Sequence, residues 1–161
     1  MRAPGFTMLE MMAALAVVAI LATLAVPSYL EQIVREQIKS ALPLADIAKA
    51  PVAASWRDLQ AFPADNAAAG LPPAGKIVGT HVSAVAIKDG AIHITFGNRA
   101  STTIAGKTLT LRPAVVVDAP VVPVAWVCGY AEPPRPMTVI GENLTDVPPG
   151  LLPLDCRALP K

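Results

Sequence analysis

From Met11 to Leu30 the chain reads MMAALAVVAILATLAVPSYL, without a charge, and Glu10 stands immediately before this run. As a helix rising about 1.5 Å per residue, it spans about 30 Å, the thickness of a bilayer's hydrocarbon core. A helix that is apolar on every side must be covered on every side, by lipid or by other helices. Three arrangements compete. A cleaved secretory signal has a short apolar core and small residues before its cut, but this run is long and flows into an amphipathic helix. An uncleaved anchor suits the length and leaves Glu10 unexplained. A carboxylate in an apolar segment costs a few kcal/mol or more unless it finds a partner, and nothing basic lies within one helical turn. In the third arrangement the chain is cut between Gly5 and Phe6. The new α-amine of Phe6 then sits four positions before Glu10, on the same helix face. In a bundle of such helices the amine of one copy meets the carboxylate of its neighbour, and two lone charges in a low-dielectric interior become a pair.

The 161 residues leave room for that helix and one modest globular domain. With 13 basic and 12 acidic residues the net charge is +1, so no basic field draws nucleic acid along the chain. At 4% aromatics, stacking platforms are scarce too, and nucleic acid remains unproven as a partner. Cys128 and Cys156 both lie far from the apolar segment. In an exported domain such a pair most simply forms one disulfide, which stabilises by roughly 3–4 kcal/mol in the chain-entropy model. Two buried thiols are the alternative. A metal site is the poorest reading, since two cysteines without nearby histidines fall short of four zinc ligands.

Pro27 interrupts the apolar run, where it removes a backbone bond and predicts a kink. Beyond it, Leu30, Ile33, Val34, Ile38 and Ala41 recur at helical spacing, with Glu31, Arg35, Glu36 and Lys39 on other faces. This part predicts an amphipathic helix, bent at Pro43 and ending near Ala50. Residues 51–79 are punctuated by Pro and Gly and predict an irregular connection, with a short helix possible over Ser55–Leu59 and with Trp56 and Phe62 as core anchors. His81–Lys88 and AIHITF flank Asp89-Gly90, a strong hairpin signal, and Ile92, Ile94 and Phe96 alternate with His93 and Thr95. KTLTLRP predicts a third strand. PVVPVAWVCG predicts a fourth, with Val124 and Trp126 inward and a late start or edge position because of Pro120 and Pro123. The fold class expected is α+β: the long helix laid on a four-stranded antiparallel sheet. Between the cysteines, a proline-rich segment has little regular structure of its own and relies on the disulfide to hold it to the last strand.

No phosphate loop, nucleophile elbow or dinucleotide fingerprint occurs. His81 and His93 have no Asp, Glu or Cys close by in sequence, apart from Asp89 near the hairpin turn, and read as surface or hairpin-facing residues. No catalytic residue, metal or cofactor is expected. Asn143-Leu144-Thr145 fits an N-glycosylation pattern and is read as unmodified in a bacterial-looking chain.

The segment GFTMLEMMAALAVVAILATLAVPSYL resembles the N-terminal motif of type IV prepilins: Gly5 before the cut, Phe6 after it, Glu10 at the fifth mature position, then an unbroken apolar helix. Thr7, Pro27 and Tyr29 also sit where major pilins often carry them. AIHITFGNRASTTIAGKTLTLRP, VAWVCG and LLPLDCR resemble the pilin sheet and its C-terminal cysteine turn. The resemblance covers most of the chain and is weak over 51–79. It implies a leader over 1–5, a transmembrane and filament-core helix over 6–30, and a periplasmic, then extracellular, globular domain over 31–161. It further implies cleavage after Gly5 by a prepilin peptidase that also methylates Phe6, an assembly salt bridge between Glu10 and Phe6, loosening near Pro27, and a Cys128–Cys156 disulfide. The leader MRAPG departs mildly from the pattern, with Arg2 as its sole basic residue. The implied partners are further copies of the chain in a helical filament, the peptidase, an inner-membrane assembly platform and its ATPases. The implied location is the bacterial inner membrane, then the extracellular pilus, serving adhesion, motility or DNA uptake. A minor pilin or secretion pseudopilin is the alternative within the class, although no clustered Asp/Asn calcium loop is visible. A membrane-anchored binding module, such as a DNA-uptake receptor, and a membrane-anchored enzyme are the alternatives outside it.

Overall fold

A computed structural model describes residues 5–158, with the side chains of 24–28 set aside. Residues 1–4 of the expected leader 1–5, and the Pro27 side chain, where the kink was expected, therefore lie outside the described residues. The chain divides into two units, Met1–Ile33 and Val34–Lys161. One helix, α1, covers Met8–Leu59.

In the first unit the described side chains of α1 are exposed throughout, including Leu9, Leu15, Val18 and Leu21. Among the described residues, no helix is long and apolar enough to cross a membrane.

In the second unit α1 buries a narrow stripe: Val34, Ile38, Ala41, Ala45, Ala48, Val52 and Trp56. The steps alternate between three and four residues, so the stripe stays on one face. Three consecutive stripe positions are alanine, which lets the helix backbone lie close to the apolar face of a sheet. That face carries Val85, Ile87, Ile92, Ile94, Phe96, Leu109 and Leu111, and together with the helix stripe it forms one core. Two sequence expectations are corrected here. The buried stripe starts at Val34, while Leu30 and Ile33 are exposed. The helix also neither ends near Ala50 nor gives way to irregular chain at Pro51; it stays helical through Pro43 and Pro51 to Leu59. Each proline removes one backbone bond, but Val52 and Trp56 lie one turn further along the buried face, and their burial is lost if the helix stops early. Trp56 stacks on Phe62 at 5.0 Å between ring centroids, so both are the core anchors expected of them.

The sheet runs β1 (Val82–Lys88), β2 (Ala91–Phe96), β3 (Thr108–Val115) and β4 (Ala125–Cys128), antiparallel and in chain order. The turn between β1 and β2 has positive φ at both Asp89 and Gly90, as the primed hairpin turns require. Gly90 is needed for space as well, since a Cβ there would come within 2.7 Å of the Phe62 side chain. As Pro123 implied, β4 starts late. Trp126 packs against the core while its neighbour Val127 is buried on the opposite side, and Val124 lies outside the strand. A two-residue strand that the sequence did not suggest, β5 (Thr138–Val139), pairs with the end of β3.

Part of the outer edge of β1 is closed by the Asn66 side chain. Asn66 accepts a bond from Ile87 N–H at 2.6 Å and donates to the carbonyls of Val85, at 3.0 Å, and Pro72. Its amide imitates a strand partner on an edge that otherwise invites another chain.

Candidate functional site

The first candidate is the start of α1. Gly5 and Phe6 are exposed, Phe6 at 79%, and among the described residues nothing approaches Gly5 within 4 Å of where a Cβ would stand. Glu10 is also exposed, but its carboxylate is engaged within its own chain. Glu10 Oε2 accepts from the Thr7 backbone N–H at 2.9 Å and from Thr7 Oγ1 at 2.8 Å, while Thr7 Oγ1 accepts from Glu10 N–H at 3.3 Å. With Met8 the first helical residue, this is a capping box: Thr7 at the N-cap, Glu10 at N3. The sequence reading left Glu10 without a partner in its own subunit; the structure corrects that. The signal was present, since Thr-x-x-Glu before an apolar run marks a helix start. The cap satisfies backbone donors and uses one carboxylate oxygen. It supplies no positive charge, so a neighbouring amine can still approach the second oxygen.

The second candidate is the strap from Gly129 to Asp155. Cys128 and Cys156 are joined in a disulfide with a separation of 28 residues. Gly129 turns at φ 54°, and a Cβ there would come within 2.8 Å of the Cys156 carbonyl oxygen. Tyr130 N–H donates to that same oxygen. After β5 the strap crosses the polar face of the sheet. Leu144 N–H donates to Thr110 Oγ1, Thr110 N–H to Thr145 Oγ1, Tyr130 O–H to Thr145 O, and Asp146 exchanges bonds with Thr108. Asn143 Nδ2 donates to Gly129 O, a carbonyl that also accepts from Arg112. Asn143 and Thr145 of the sequon both take part in bonds that hold the strap.

This cover corrects the reading of His93 as a surface residue: it is 6% exposed, with Nδ1 3.0 Å from Thr110 Oγ1. Its Nε2 is buried and has no partner among the described residues. The residues that bury it lie about fifty positions further along the chain, so local sequence gives no hint of it. Burial holds the imidazole below its ordinary pKa, and Lys88 adds to this, whereas Glu142, 3.2 Å from Lys88, opposes it. A base whose neutral form is favoured in the folded state stabilises that state above its unfolded pKa. The contribution is lost as pH falls, because the unfolded chain then binds more protons. The urea midpoint of the oxidised protein is therefore expected to drop as pH is lowered through about 6.5, more than that of the His93→Gln variant. Equal pH dependence in the two proteins would remove His93 as the cause.

Of the expected site residues, Gly5, Phe6 and Glu10 cluster at the helix start, and the two cysteines join at the strap. His81 lies apart from His93, its Nδ1 3.2 Å from Ser40 Oγ.

Residues 34–157 match the family model for pilin, a bacterial filament protein, and residues 1–26 match that of the prokaryotic N-terminal methylation motif. The chain is 37% identical to the fimbrial protein EcpC of Eikenella corrodens over 111 residues, 67% of this chain and 72% of that one. It is 33% identical to the type IV major pilin PilE of Neisseria gonorrhoeae over 126 residues, 78% and 73% of the two chains. A PilE1 major pilin of the same organism is 30% identical over 159 residues, 95% and 86% of the two chains. The match over 34–157 takes in the helix stripe, the antiparallel sheet and the disulfide-held strap, so the chain belongs to the pilin family.

Proposed function

We propose that this chain is made as a prepilin, trimmed between Gly5 and Phe6, methylated on the Phe6 amine, and polymerised through its N-terminal helix as the structural subunit of a type IV pilus. The observation that carries this is the pairing, in one polypeptide, of the methylation motif over 1–26 with the pilin domain over 34–157. Residues 6–30 reside in the inner membrane before assembly and in the filament core after it. Residues 31–161 form the head, periplasmic first and then on the fibre surface. Pro27 loosens the helix on entry into the filament, because a proline leaves it one backbone bond weaker there. Relatives named as major pilins favour a main subunit over a minor pilin or pseudopilin. Energy for assembly comes from ATPases acting through a membrane platform, and the chain itself carries out no reaction.

Mass spectrometry of the N-terminus of fibres sheared from cells tests this reading. The expected first residue is methylated Phe6. Polymerised chains that retain residues 1–5 overturn it.

A further inference from the structure

The head has a cleft of about 450 Å³ whose two walls come from distant parts of the chain. One wall is α1, through Ser40, Pro43, Leu44 and Ile47; the other is the entry to β1, through His81 and Val82. Both walls lie in the second unit. They draw together at Gly79, where a Cβ would stand 3.4 Å from Leu44 Cδ2. Ile47 is 51% exposed, so the cleft opens to solvent.

The polar groups here are arranged as acceptors. Ser40 Oγ donates its single hydrogen to Gln37 O at 2.7 Å. That oxygen lies 3.2 Å from His81 Nδ1 and can only accept there, so Nδ1 carries the proton of the neutral imidazole. Nε2 is left with a lone pair, and the ring that carries it lines the cleft. A second acceptor stands beside it: Pro43 has no N–H to give to the carbonyl of Lys39 one helical turn earlier. No carboxylate is among the described side chains that line the cleft.

This pattern selects a ligand. Apolar walls take an apolar body. Acceptors take a donor, so carboxylates and phosphates, which bring only lone pairs, are turned away. An ammonium brings donors, but its charge would be desolvated without a counter-charge. A hydroxyl on an apolar body suits both the walls and the acceptors. From Ser40 to Ile47 the helix rises about 10 Å, which sets the length of that body. We infer that the head carries a binding site for a small apolar alcohol or phenol, whose hydroxyl donates to His81 Nε2. The site belongs to the head alone and does not depend on how the chain assembles.

The probe is para-butylphenol, added to the full chain held in phosphatidylcholine nanodiscs, with protein-free nanodiscs as the blank for partition into lipid. Saturable binding is expected with a Kd of about 0.1 mM, the range for a ligand of this size. Amide NMR shifts are expected to move at Leu44, Gly79 and Val82 and to stay still at Leu154 on the C-terminal segment. The methyl ether, para-butylanisole, has the same body but no donor. It is expected to bind about tenfold more weakly, the worth of one hydrogen bond. His81→Phe keeps a ring and removes the acceptor; it is expected to weaken the phenol about tenfold and to leave the ether unchanged. Leu44→Trp fills the cleft and is expected to abolish binding of both. Unchanged melting of the variants shows that the head is intact; if Leu44→Trp unfolds it, the shifts of the unaltered protein and the His81→Phe comparison decide. Equal affinity for phenol and ether in the unaltered protein overturns the proposal, because no donor is then being recognised. Binding no greater than the blank overturns it outright, and so do shifts confined to residues away from the cleft.

Discussion

Cells expressing the Glu10→Val variant are expected to accumulate the subunit in the membrane at normal levels and to shed at least tenfold fewer fibres. Valine suits an apolar environment better than glutamate does, so insertion is not impaired. On the proposed assembly, what is lost is the partner of a neighbouring copy's Phe6 α-amine held among packed helices. Removing one member of a buried ion pair destabilises by about 3–5 kcal/mol, because the other charge is left uncompensated, and the deficit recurs at every joint of a polymer. The capping box adds a second role that must be separated from the first. Glu10 accepts the Thr7 N–H and hydroxyl bonds within its own chain, and a lost cap costs about 1 kcal/mol. Glu10→Gln keeps an acceptor for Thr7 but carries no charge. Fibre yield from the glutamine variant is expected to be as poor as from the valine variant. Normal fibres from Glu10→Gln would mean that the residue serves as a cap, with no inter-subunit pair.

The second large effect is expected at the strap. In Cys156→Ser, or after reduction of the disulfide, the head should lose about 3–4 kcal/mol, the chain-entropy value for a loop of this length. For a domain of this size that corresponds to a fall in melting temperature of about 10 °C. The loss should be focused. Leu144, Thr145 and Asp146 bond to β3, so amide exchange at Thr108 and Thr110 should rise before exchange at Ile92 and Ile94, which lie on the helix-covered face. Protease cleavage should appear first within 129–155. An unchanged melting temperature together with an uncut strap would show that the polar network holds the segment without the disulfide.

Much of the sheet was readable from local pattern. Ile92, Ile94 and Phe96 alternate with polar residues, Asp89-Gly90 supplies the two positive φ values of its turn, and Pro123 delays β4. These depend on neighbours a few positions away. The continuation of α1 past Pro43 and Pro51 was not readable, because propensity argues against it and only the packing of Val52 and Trp56 against distant strands outweighs the two missing bonds. The burial of His93 and the pairing of β5 depend on a strap that crosses the sheet from far along the chain. At the site, Gly5, Phe6 and Glu10 stood out because a charge beside an apolar run demands an explanation. The Thr7 cap was equally legible, since Thr-x-x-Glu ahead of an apolar run marks a helix start. Ser40 and His81 are 41 positions apart, and nothing short of the fold brings them together.

The Asn66 amide on β1 has a counterpart at the other end of the sheet, where Tyr130 N–H beyond β4 is taken by the carbonyl of Cys156. On the proposed reading, heads crowded in the periplasm thus have both outer strands partly engaged, which hinders zipping together strand by strand into amyloid-like aggregates. On the same reading cohesion is left to the helices, whose contacts form no hydrogen-bonded ladder that would have to break for a subunit to leave.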